Sequence, residues 1–116
     1  MAHKSLLECS FLVPVRRDKE ISDGKLHPEK RWKWLNEELF ALVGGRTLAP
    51  GYYQGLWLNP KTGAPVSDES RRFIVAVPRK RLNEFRQLLV RACVVFHQQA
   101  IYLSVAGKVE LIEAEA

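Results

Sequence analysis

Apolar residues in this chain recur every second position in some stretches and every third or fourth in others, and the order of those stretches restricts the fold more than any single residue does. Residues 6–15 alternate, with Leu7, Cys9, Phe11, Val13 and Val15 on one side and Glu8 and Ser10 on the other, which predicts a half-buried strand. The polar run Asp18–Gly24 ends in the turn signal Asp23-Gly24. Pro28 suits the first turn of a helix, where its missing N–H costs nothing. From there Trp32, Leu35, Leu39, Leu42 and Val43 form an amphipathic stripe that Gly44-Gly45 stops. The aromatic segment Tyr52–Leu58 reads as a second strand, and Asn59-Pro60-Lys61-Thr62-Gly63 as a turn. Ala64–Ser70 is expected to be a polar connection, and Arg71–Val77 a continuous apolar strand at the sheet centre, closed by Pro78. A second helix is predicted from about Arg79 to His97, with Leu82, Phe85, Leu89, Ala92, Cys93 and Phe96 on one stripe. Leu88, Val90, Val94 and Val95 fall outside that stripe, so something besides the sheet should cover its later half. Ala100–Val105 reads as a strand, and Gly107-Lys108 permits a turn before a short strand at Val109–Ile112.

The resulting order is β-α-β-β-α-β with an extra strand at the C-terminal end. Right-handed crossovers place both helices on one side of a single sheet. Over about residues 6–106 this pattern resembles the ferredoxin-like α+β sandwich, an antiparallel sheet with two helices on one face. The chain's 116 residues suit one α+β domain spanning 1–116, with its core at about 6–112. The likeness is one of fold alone. Phe73 by itself does not supply the several exposed aromatics of an RNA-recognition motif.

With 47% hydrophobic and 27% charged residues the chain is globular rather than disordered. Its longest apolar runs, Leu39–Val43 and Phe73–Val77, are far short of the ~18 residues of a membrane span. Glu8 interrupts the apolar stretch a secretory signal would need. Cys9 and Cys93 have no neighbours at metal-ligand spacing and read as buried free thiols, which favours a cytoplasmic setting. No metal site and no cofactor are expected; Gly44-Gly45 follows a helix, whereas a phosphate-binding loop precedes one.

The formal charge of +5 is local in origin: residues 71–91 hold Arg71, Arg72, Arg79, Lys80, Arg81, Arg86 and Arg91 against Glu84 alone. With the first and third strands as antiparallel neighbours, Arg16 and Arg17 come near Arg71 and Arg72. Asp18, Asp68 and Glu69 can neutralise them; otherwise an anion or an acidic partner is needed. Arg79, Lys80 and Arg81 oppose the macrodipole at a helix start, which suits phosphate or a nucleic-acid backbone. The two clusters should lie at opposite ends of the sheet. On the second strand Tyr53, Gly55 and Trp57 share a face, expected to be the open one, with Gly55 leaving a gap between two aromatics. His97 reads as a helix-end cap. Asp68-Glu69-Ser70-Arg71 contains acid, hydroxyl and cation, but neighbours on a strand point to opposite sides.

These features favour a non-catalytic ligand- or protein-binding module that homodimerises through the open sheet face, with Tyr53 and Trp57 as anchors and Arg16, Arg17, Arg71 and Arg72 matching acidic groups. Two alternatives stand beside it: a nucleic-acid-binding protein using residues 71–91, and a small-molecule enzyme with a pocket on the open sheet face.

Overall fold

The computed structural model describes residues 5–59 and 62–114, so His3 and the Pro60-Lys61 part of the expected turn lie outside the described residues. The elements are β1 (Leu6–Pro14), α1 (Glu29–Val43), β2 (Thr47–Leu48), β3 (Tyr53–Leu58), β4 (Pro65–Pro78), a 3-10 turn at Arg79–Arg81, α2 (Leu82–Val95), β5 (Ala100–Val105) and β6 (Lys108–Glu113). One six-stranded sheet runs β2-β4-β1-β5-β6, with β3 also on β4, and every pairing is antiparallel. The architecture is therefore α+β, an antiparallel sheet with two helices.

Alternation in β1 buries Leu7, Cys9, Phe11 and Val13 against both helices. Phe11 stacks on Phe73 of β4 at 5.1 Å between ring centroids and meets Phe85 of α2 edge-on at 5.9 Å. From α1, Trp32, Leu35 and Leu39 enter the same core. Pro28 sits just ahead of α1 in extended conformation, and Gly44 stops the helix at φ +85°, its N–H on the Phe40 carbonyl. A β-carbon at that φ would be strained, hence the glycine.

The surplus apolar surface of α2 is largely covered from within the chain. Leu88 is fully buried, Val90 and Val95 pack on the core, and the Cys93 thiol donates to the Ile112 carbonyl of β6 at 3.3 Å. Arg86 makes a bidentate pair with Glu110 of β6, at 2.8 and 2.9 Å. Only Val94 of that set stands exposed. The β5–β6 hairpin turns on Ala106 and Gly107, both at positive φ, the tight geometry that matches strand twist.

The expected connection at Ala64–Ser70 is instead strand. β4 is 14 residues long; its later half pairs with β1, and its earlier half pairs only with β3, Tyr53 opposite Ser70 through Leu58 opposite Pro65. The β3–β4 hairpin thus projects past the helices as an arm and helps stretch the molecule to 54 × 31 × 29 Å. Both faces of an arm meet water, so polar residues occupy both and the alternating pattern that betrays a half-buried strand is absent. The two-residue β2, beside Phe73 and Ile74, is too short to show a period.

Candidate functional site

A groove of about 1400 Å³ lies where the arm leaves the body. Its walls include Leu12, Pro14 and Tyr102 of the open sheet face, Gly55, Trp57, Val66, Asp68 and Ser70 of the arm, and the segment between β1 and α1. That segment is tied down at several points. The Arg17 N–H donates to the Lys25 carbonyl at 2.9 Å, and the Asp18 N–H to the His97 carbonyl at 2.9 Å. Arg17 forks onto Asp23 at 2.7 and 3.0 Å, which holds the Asp23 carboxyl down at about 2. Glu20 accepts from Gln99 at 2.8 Å and from Asn59 at the end of the arm.

Register decides what the arm offers. Residues directly opposite share a face, so Tyr53, Gly55 and Trp57 lie with Ser70, Asp68 and Val66 on the side away from the helices. The indole Nε1 of Trp57 donates to Asp68 Oδ2 at 3.1 Å, directly over Gly55. A β-carbon on residue 55 would stand 2.7 Å from that indole nitrogen and closer still to Asp68 Oδ1. Glycine here is the condition for the pair. Burial pushes the Asp68 carboxyl up, and the Trp57 hydrogen bond partly counters it.

Two residues along, Ser70 is buried beside Pro14, and beyond it Arg72 lies opposite Leu12, in the row that continues to Tyr102 and Leu111. The Arg72 guanidinium rests over the Tyr53 ring, 5.7 Å from its centroid, and reaches the Tyr53 hydroxyl at 3.5 Å. Arg71 projects from the other face of β4 and sits over Trp32, 4.2 Å from the ring centroid, and both line the groove. Behind Trp32, His27 donates from Nε2 to the Pro14 carbonyl at 2.8 Å, and burial holds its pKa below the usual value. Among the described residues its Nδ1 has no partner.

Of the expected arginine cluster, Arg16, Arg17 and Arg71 line the groove together, while Arg72 stands on the opposite face of β4. Asp23, rather than Asp18, Asp68 or Glu69, neutralises Arg17. Among the described residues the Arg16 side chain reaches the Gly24 carbonyl, at 3.5 Å, and Arg71 and Arg72 occupy opposite faces. At the far end of β4, Arg79 donates to Ser5 Oγ at 2.6 Å, and Arg81 donates to the Leu42 carbonyl at 2.6 Å and pairs with Glu84 at 3.8 Å. Lys80 is exposed. A smaller hollow of about 560 Å³ between α1 and α2 is lined by Arg81 and Arg91, the latter 3.8 Å from Glu38, so its cations are already matched. Among the described residues no group of acidic, His and Cys side chains could hold a metal ion, and no helix is long and apolar enough to cross a membrane.

Comparison with known proteins adds what geometry alone does not. No protein-family model and no curated protein matches the chain. Two solved structures do. A phage SAM lyase in complex with S-methyl-5'-thioadenosine superposes with a TM-score of 0.72 at 12% identity, covering 99% of this chain and 95% of that one. A phage SAM lyase in the apo state gives 0.67 at 15% identity, covering 100% and 97%. The chain shares their fold over its whole length.

This corrects two expectations. The non-catalytic module that homodimerises through its open sheet face, and the expectation that the chain is not an enzyme, both give way to a fold shared end to end with a small enzyme. Of the expectations above, the finding sits better with the small-molecule enzyme than with the binding module. Tyr53 and Trp57 keep the face expected for them, but Trp57 is committed to Asp68. Sequence reasoning missed Asp68 as a site residue because it left residues 64–70 out of the sheet. Pairing them with 53–58 would have set Asp68 opposite the Gly55 gap.

Proposed function

We propose that this chain is an enzyme that cleaves a small adenosyl sulfonium of the S-adenosylmethionine class in the groove beside the arm. The observation that carries the reading is the Trp57–Asp68 pair over Gly55: a half-desolvated carboxylate beside an indole face, in a groove on a fold shared with SAM lyase. A sulfonium is a soft cation on an apolar frame, and a carboxylate next to an aromatic ring is the pairing that attracts it. The indole offers a stacking platform for the purine, a contact of ~1–3 kcal/mol.

S-methyl-5'-thioadenosine is what such a sulfonium leaves when the bond from sulfur to its aminobutyrate chain breaks and sulfur keeps both electrons. As the sulfur–carbon bond breaks, an oxygen of the fragment's own carboxylate bonds to the γ-carbon and closes a lactone, so no water or redox partner enters the balance. The cation is discharged as the bond breaks, and a half-dry groove walled by Leu12, Val66 and Tyr102 favours a step in which charge disappears. Asp68 recruits and orients the cation, while Trp57 fixes Asp68.

The strand order along β5-β1-β4-β3 supports a ferredoxin-like core, to which β6 and the arm are additions. The two buried thiols support a reducing, cytoplasmic setting. The exposed Leu56 and Leu58 on the arm's other face support self-association of the chain.

The test is incubation of the purified chain with S-adenosylmethionine, followed by chromatography and mass spectrometry for S-methyl-5'-thioadenosine. Product formation that falls at least tenfold in Asp68→Asn supports the reading. Absence of the thioether at enzyme concentrations equal to substrate rejects it.

A further inference from the structure

β4 carries Asp68, Ser70 and Arg72 at alternate positions, so an acid, a buried hydroxyl residue and a cation stand in one line on the face away from the helices. At ~3.3 Å per residue the ends of that line are about 13 Å apart, too far for the two charges to pair directly. Among the described residues Arg72 has no carboxylate partner, and its one hydrogen bond, to the Tyr53 hydroxyl, is at the long limit of such contacts. The Tyr53 ring lies beneath the guanidinium, 5.7 Å from centroid to Cζ, and Arg72 as a residue is half-buried. The row beside it, Leu12, Tyr102 and Leu111, supplies no anion. Arg72 and Tyr53 do not themselves line the groove, but Leu12 opposite Arg72 and Ser70 two residues before it do. A planar cation with most of its donors unspent next to the groove wall, with a carboxylate further along the strand, is complementary to a molecule with a positive centre and a separate carboxylate.

We infer that Arg72, seated on Tyr53, is the specificity residue that binds the substrate's α-carboxylate. This rests on the sulfonium reading of the groove and deepens it. The adenosyl sulfonium lies toward Trp57 and Asp68, the aminobutyrate chain folds over Ser70, and Arg72 holds the carboxylate with one oxygen left facing the γ-carbon. Asp68 by itself would accept any adenosyl sulfonium; Arg72 restricts the site to those that keep the amino-acid carboxylate. A guanidinium gives two parallel hydrogen bonds where an ammonium gives one point charge, so lysine is not an equivalent replacement.

The experiment is calorimetric titration of wild type, Arg72→Gln and Arg72→Lys with three ligands. These are S-adenosylmethionine, the analogue in which hydrogen replaces the carboxylate, and S-methyl-5'-thioadenosine. Loss of a charge-assisted pair predicts that Arg72→Gln binds S-adenosylmethionine about 10- to 100-fold more weakly. Its affinity for the other two ligands should stay within about twofold, and Arg72→Lys should fall between. Retained binding of the thioether also shows that the variant is folded. Unchanged affinity of Arg72→Gln for S-adenosylmethionine overturns the inference while leaving the sulfonium reading in place. An equal loss for all three ligands gives Arg72 a purely structural role and overturns it too. Wild type that binds none of the three refutes the sulfonium reading and this inference with it.

Discussion

Replacing Gly55 by alanine separates the function of the arm from its stability. The methyl would stand 2.7 Å from Trp57 Nε1 and nearer still to Asp68 Oδ1, against an ordinary contact of 3.4 Å or more, so the pair must retreat by about 0.7 Å at the least. Gly55 lacks a positive φ, and alanine can take its backbone conformation. Both clashing atoms are side-chain ends that can rotate away, so the fold yields cheaply. Alanine in a strand regains ~0.5–1 kcal/mol of the entropy that glycine costs. The broken indole–carboxylate bond, half in solvent, withdraws ~1 kcal/mol. The two nearly cancel, and the melting temperature should stay within about 5 °C of wild type. Ligand binding should not survive so well. The rotated Asp68 no longer faces the groove where Trp57 held it, and affinity for S-adenosylmethionine should drop at least tenfold, or ~1.4 kcal/mol. The assay pairs a thermal melt with calorimetric titration. Trp57→Phe, which keeps a ring but removes the N–H, should show a milder loss in the same direction. Gly55→Ala that binds and turns over like wild type would falsify the assignment of the site to this pair.

Asp68 should also mark the pH profile. Its folded pKa lies above the ordinary 3.8, so the stability it contributes is complete below that value and is lost as pH rises through the folded value. Asp68→Asn should therefore be more stable than wild type at neutral pH and equal to it in strong acid, as melts across the range will show, while turnover is lost. Glu110→Gln breaks the fork from Arg86 that ties α2 to β6; for a pair about a third exposed a loss of ~0.5–1 kcal/mol is expected, shrinking in high salt. Because that fork holds the Glu110 carboxyl below its usual value, its contribution is present above the ordinary 4.5 and fades as pH falls through the folded value. Phe85→Ala, at a fully buried ring against Phe11, should cost ~3–5 kcal/mol, read from urea denaturation; a loss under 1 kcal/mol would mean the core is not packed as described.

The elements that bury one face were legible from periodicity. β1 alternates because Leu7, Cys9, Phe11 and Val13 all press on helices while Glu8 and Ser10 do not. α1 shows its stripe because Trp32, Leu35 and Leu39 enter that same core. The surplus apolar residues of α2 were also visible, but what covers them was not: β6 is short, and only its Ile112 is buried. The early half of β4 left no trace, since Val66, Ser67, Asp68 and Glu69 meet solvent or groove rather than core, and a strand wet on both sides has no apolar period to read.

The site was legible one half at a time. Placing Tyr53, Gly55 and Trp57 on one face needed only the two-residue period, and the gap at Gly55 followed from it. What filled the gap needed register, because Asp68 meets Gly55 only if Leu58 pairs with Pro65 across a turn of six residues. The arginines misled for a related reason. Sequence adjacency put Arg71 beside Arg72, yet on a strand neighbours are maximally divided: one guanidinium lies on Trp32 in the groove wall and the other on Tyr53 across the strand. Charge counted along the chain gave two basic clusters at opposite ends of the sheet. Charge counted every second residue along β4 gives acid, hydroxyl and cation in a line, and that alternation, rather than the net charge of +5, is the property a zwitterionic substrate would detect.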